Sequence, residues 1–99
     1  MGVYLNILGE EYETAFSHGM PDALLGEISY AHKLISINAR RSKWLMAETL
    51  LHECVHGIDR HRQIRLTEVQ VKKLGIGLYD LLSNNPKIQT FVDNSIKGR

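Results

Sequence analysis

The stretch "ETLLHECVHGIDRH", from Glu48 to His61, marks a change of period in the chain. Ala47, Leu50, Leu51, Cys54, Val55 and Ile58 recur at three- and four-residue steps, the spacing of an amphipathic helix. Ser42 precedes them as an N-cap, so the pattern predicts a helix from Ser42 to about Asp59. Inside it, His52 and His56 stand four apart with Glu53 directly after the first. Residues i and i+4 share a helix face one turn apart, so both imidazoles can aim at one point.

Upstream of this helix the sequence reads as β-structure. "VYLNIL" is rich in strand formers, "GE" interrupts it and "EYETAF" alternates, which predicts a hairpin over residues 3–16. "SHGMPD" reads as a loop. "GEISY" and "KLISIN" form a second strand pair turning at "AH", with strands ending near Asn38. Downstream, "RHRQIR" is a polar connection, and Thr67 can cap a helix carrying Val71, Leu74, Leu78, Leu81 and Leu82. Gly75 and Gly77 weaken that helix by about 1 kcal/mol each relative to alanine, and they would permit close packing on the first helix. "NNP" ends it, and a short last helix begins at Pro86. The expected fold is α+β: a small N-terminal antiparallel or mixed sheet packed on the His52 helix, a second helix, and a short C-terminal one.

Composition bounds the function. Ninety-nine residues, 43% hydrophobic and 23% charged, describe one domain near the size at which a single core suffices. Twelve basic against eleven acidic side chains give +1, so no global field draws the protein to nucleic acid or to an anionic membrane. The expected partner is a protein or peptide recognised locally. Cys54 is the single cysteine, and the chain carries neither a signal-peptide apolar region nor a run of membrane-spanning length, so the expectation is a reducing cytosol. Cys54 lies on the apolar stripe with no feature that would activate its thiol, and reads as a small hydrophobe. Trp44 reads as a core anchor. "ARR" and "RHRQIR" read as a solvated basic rim, with a phosphate contact as the alternative.

Zinc takes imidazole nitrogens at about 2.0–2.1 Å in a tetrahedral set, and three protein ligands leave a fourth position for water. His52 and His56 supply two. Glu53 points about 100° round the helix and can reach the bound water as a general base. Glu68, in the first turn of the second helix, is the leading choice for the third ligand, because a short return loop would bring it back to the histidines and a carboxylate completes a two-His-plus-Glu set. The helix macrodipole also favours an acid there without any metal. Asp59 is the rival, on the face of His56 but on the same straight helix, where orienting His56 suits it better. His61 is a further possible ligand, expected in the exit loop.

"ETLLHECVHGID" followed by "LTEVQVKKLGIGLYDLL" resembles the minimal zincin-like metallopeptidases of phage and prophage genomes, which resemble the catalytic domain of the ImmA/IrrE family. The resemblance spans roughly residues 26–83. It implies that His52 and His56 bind zinc, that Glu53 is the catalytic glutamate, and that Glu68 is the third ligand of a gluzincin-type site. Glu68 follows the motif sooner than in thermolysin-like enzymes, and no second domain walls the cleft. The resemblance further suggests that "KLISIN" could be the sheet edge that pairs with a substrate; an ordinary central strand is the alternative. Tyr30, His32, His61, Arg62 and Tyr79 are chemically able to stabilise an oxyanion. Two function classes follow: a zinc peptidase acting on a cytosolic protein, such as a regulator, or a zinc-stapled module that binds protein or DNA without catalysis. Glu53 favours the enzyme, since a structural zinc needs no base and usually has a closed fourth position.

Overall fold

A computed structural model describes residues 3–98 of the chain. The order of elements is β1 (Val3–Ile7), β2 (Glu10–Ser17), β3 (Gly26–Ser29), β4 (Leu34–Asn38), α1 (Lys43–Arg62), α2 (Glu68–Asn84) and α3 (Lys87–Lys97). This is the expected α+β arrangement, a four-stranded mixed sheet followed by three helices. None of the described helices is long and apolar enough to cross a membrane.

The β1–β2 hairpin turns through Leu8 and Gly9, both at positive φ (52° and 92°), as a two-residue turn that matches strand twist requires. Asn6 fixes it by accepting the Gly9 amide at 2.8 Å through Oδ1. β3 and β4 pair antiparallel, whereas β4 runs parallel to β2, giving the order β1-β2-β4-β3. β4 is therefore a central strand, hydrogen-bonded on both sides. Of the two readings of residues 33–38, the central strand is the one the structure has; β1 and β3 form the edges.

Alternation along the strands builds the core. Ile7, Tyr12, Ile35 and Ile37 are buried together, and Met46, Leu50 and Cys54 of α1 pack against them. At the end of β4, Asn38 is fully buried and donates its amide to the Leu24 carbonyl at 2.9 Å. That bond holds the loop before β3, and hence Leu25 and Gly26, against α1. Gly26 needs to be glycine: a Cβ there would lie 2.6 Å from Thr49 Cγ2 and 3.1 Å from the Ser36 carbonyl oxygen.

Ser42 caps α1 by accepting the Leu45 amide at 3.4 Å. The helix continues past Asp59 to Arg62 and closes on Gln63, which adopts the left-handed conformation and donates its amide to the Asp59 carbonyl. No glycine or proline stands in "DRHR" to stop it earlier, so His61 belongs to the last helical turn and not to a loop. Arg60, His61 and Arg62 there complement the helix's negative end.

Three corrections concern faces of α1. Trp44 is 56% exposed and is no core anchor, because it points about 200° away from Met46, on the side opposite the sheet. Ala47 and Ile58 also face outward. Leu50 and Cys54 of the expected stripe do pack on the sheet, and beside them runs a buried line of Thr49, Glu53 and Gly57, two polar residues and a glycine that an apolar count passes over. Val55 is buried on the other flank.

The return from α1 to α2 is set by Asp59, whose Oδ1 accepts the Leu66 amide at 3.1 Å. Thr67 then caps α2 in a reciprocal box with Gln70: Thr67 Oγ1 accepts the Gln70 amide at 3.2 Å and Gln70 Oε1 accepts the Thr67 amide at 2.9 Å. α2 lies directly on α1 at Gly75, where a Cβ would stand 3.1 Å from His52 Cα and 3.3 Å from its nitrogen. Around Gly77 a Cβ would meet nothing within 4 Å. The two glycines therefore separate by experiment. Gly77→Ala is expected to stabilise the protein by about 1 kcal/mol through helix propensity. Gly75→Val is expected to destabilise it by about 1–3 kcal/mol, since the obstacle is α1 backbone and the helices must part. Urea midpoints of both variants check this, and equal shifts would refute the contrast.

α3 starts at Pro86 as expected and contains no buried residue. Its apolar residues Phe91, Val92 and Ile96 are exposed, Phe91 by 77%, and it forms no extended interface with the sheet, α1 or α2.

Candidate metal centre

Helix geometry places the two histidines and the Asp59 and Thr67 anchors bring the third group to them. His52 Nε2 lies 2.8 Å from Glu68 Oε1, and His56 Nε2 lies 3.0 Å from Glu68 Oε2. One carboxylate thus spans both imidazoles, whose ring centroids are 5.0 Å apart. One ligand atom from each of His52, His56 and Glu68 can be chosen so that all three lie within 4.8 Å of one another. Tetrahedral ligands at about 2.0–2.1 Å from zinc stand about 3.3 Å apart. The two histidine–glutamate contacts lie within about half an ångström of that spacing, and the set as a whole, within 4.8 Å, would have to draw together around an ion.

Asp59 is not part of this group. Its carboxylate fastens the Leu66 amide, so it places the start of α2, and through it Glu68, without reaching the histidines' site. His61 also lies elsewhere, 3.3 Å from the Tyr12 hydroxyl through Nε2.

Glu53 is only 5% exposed, on the sheet-facing side of α1 next to the histidines. Burial, followed by the nearby carboxylates Glu68 and Glu27, pushes its carboxyl up to about 7. A carboxyl near that value can both take and return a proton at neutral pH. Two cavities open on it. One, of about 360 Å³, is bounded by the free edge of β3 (Gly26, Glu27, Ile28), Tyr30, and the His52, Glu53, His56 and Glu68 side chains. The other, of about 240 Å³, continues between α1 and α2 past Glu48, Thr49, Lys72 and Ile76.

Of the five residues expected to be able to steady an oxyanion, only Tyr30 borders either cavity. Its hydroxyl donates to the His56 carbonyl at 3.3 Å, and burial raises its pKa above the usual tyrosine value. His32, Arg62 and Tyr79 line neither. Glu27, Thr49 and Lys72 were not singled out from the sequence. Lys72 could have been, since it follows Glu68 by four and so shares its face. Glu27 and Thr49 reach the site only through the pairing of β3 and its contact with α1, which no local spacing encodes.

Comparison with protein families, with curated proteins and with solved structures finds no significant match to this chain.

Proposed function

We propose that the protein is a zinc-dependent metallopeptidase of the minimal zincin type, with His52, His56 and Glu68 as metal ligands and Glu53 as general base. The observation that carries this reading is the junction of two features: a two-His-plus-Glu donor set, and beside it a buried glutamate with a carboxyl held near neutrality. Bound at the donor set, zinc would polarise a water molecule and the scissile carbonyl. Glu53 takes the proton from the attacking water and passes it to the leaving amine, so the carboxylate is regenerated with each turnover. The free edge of β3, which borders the same cavity, offers backbone groups to an extended peptide, holding it in register by main-chain hydrogen bonds whatever its sequence. Tyr30 flanks that cavity, and its hydroxyl, on turning from the His56 carbonyl, donates to the developing oxyanion. The substrate class is a protein or peptide, with a bacterial or phage-infected cytosol as the setting, a regulator being one kind of target; the single cysteine agrees with that compartment.

Metal analysis tests the donor set. The purified protein is expected to hold about one zinc per chain, and a His52→Ala, His56→Ala double variant to lose it. Glu68→Gln is expected to weaken zinc retention far more than Asp59→Asn, because a neutral amide is a poor donor and Asp59 serves the loop. Undiminished zinc in the double variant ends the metal reading; greater loss from Asp59→Asn moves the third ligand.

A further inference from the structure

On the side of Tyr30 away from the metal ligands, a separate cavity of about 430 Å³ is lined by Tyr12, Tyr30, Lys33, Arg60, His61 and Gln63. The lining holds two full cations and a histidine, and no carboxylate. Lys33 Nζ sits 5.2 Å from the Tyr12 ring centroid and the Arg60 guanidinium 4.7 Å from that of Tyr30, so each cation rests on an aromatic wall. The Tyr12 hydroxyl and His61 Nε2 are 3.3 Å apart between them.

The negative end of α1 explains Arg60 and His61 without a ligand. It does not explain Lys33, which comes from the β3–β4 turn. Lys33 is also left-handed, at φ 53°, where glycine or asparagine is the less strained choice, and it lines this cavity. Nearby acids do not fill it. Glu10 pairs with Lys33 at 3.5 Å from outside the lining, with both side chains about half exposed, and such a pair yields readily. Asp59 is turned to the Leu66 amide. The partial charge of the helix end is smaller than that of Lys33 and Arg60 together.

We propose that this cavity binds a small dianionic oxyanion of the phosphate class, between Lys33 and Arg60, with the Tyr12–His61 pair supplying further donors. The dianion answers the two cations, and hydroxyl and imidazole donors answer its remaining oxygens. Tyr30 is a wall common to this site and the metal cleft, and its hydrogen bond to the His56 carbonyl joins the two. The inference stands independently of the zinc reading.

Titration of the full chain with inorganic phosphate and, separately, with phenyl phosphate tests it, followed by amide and histidine-ring NMR at about pH 8, where both ligands are dianions. Saturable shifts are expected at Lys33, Gln63 and His61, with a dissociation constant of about 1 mM or tighter. Whichever ligand binds more tightly identifies a free phosphate or a phosphomonoester as the occupant. Lys33→Gln and Arg60→Gln are each expected to weaken binding about tenfold or more, and Lys33→Arg to retain it. Arg41→Gln, near the opposite end of α1, should leave binding unchanged, as should the His52→Ala, His56→Ala variant, which removes any phosphate held by metal. Absence of saturation up to about 10 mM overturns the proposal. So does equal weakening by Arg41→Gln, or loss of binding in the histidine variant.

Discussion

Glu53→Gln is expected to lower peptide hydrolysis by at least about 10²–10⁴-fold while zinc content stays at the wild-type level. The amide keeps the shape of the side chain and leaves His52, His56 and Glu68 in place, so only the proton carrier is lost. Because the target is unidentified, the variant also serves as the means of finding it: a protein that binds but does not cut should retain its substrate in cell extract. Cleavage of that captured protein by wild type and variant then measures the effect. If both cut it equally well with zinc bound, Glu53 is not the base. A zinc-stapled module without catalysis would show the same zinc content and no cleavage by either form.

The second large effect is on stability and needs the protein stripped of metal. Glu53 is raised from its ordinary value of 4.5 to about 7, by burial first and by Glu68 and Glu27 after it. The folded state therefore binds this proton more tightly than the unfolded chain, and stability falls as pH rises. The penalty is absent below about pH 4.5, grows between the two values and is complete above about pH 7. A rise of that size corresponds to roughly 3 kcal/mol, and solvent screens little of it because the side chain is buried. Urea midpoints measured across this range should fall for the metal-free wild type and stay nearly level for Glu53→Gln. An identical slope in the two proteins would show that the buried carboxylate is not the cause. Adding zinc should remove much of the slope, since a nearby cation favours the charged carboxylate.

Local signals were sufficient for the elements and for two of the candidate site residues. The hairpin broken at "GE", the Ser42 and Thr67 caps, and the stop at "NNP" act within a few residues of themselves, and the structure has each of them, the hairpin turning one residue earlier, at Leu8 and Gly9. His52 and His56 belong to the same class, since their meeting needs only a helical turn; Glu68 needed the further assumption of a short antiparallel return. What the sequence left hidden is tertiary. Whether β3 or β4 is the edge depends on which neighbour β2 accepts, and nothing in "KLISIN" records that choice. The burial of Glu53 was missed for a related reason. Counting apolar residues placed the core face along Ala47, Leu50, Leu51, Cys54, Val55 and Ile58; Leu50, Cys54 and Val55 are indeed turned inward, but Ala47 and Ile58 are not, and Thr49, Glu53 and Gly57 share the buried side. A buried carboxylate on that side interrupts the apolar pattern that would reveal its position. Trp44 is the converse, a large apolar residue whose size suggests burial and whose angular position forbids it.

α3 adds a consequence of another kind. Because its residues are all outside the core and it leans on no other element to any extent, changes there have little mechanical route to the histidines or to Glu68. The segment can drift in sequence while the centre stays under strict geometric control at Gly26, Gly75 and Asp59. A fluorophore or an affinity handle placed on the polar side of α3, at Gln89 or Asp93, would thus report on or recover the protein without perturbing the chemistry that the capture experiment depends on.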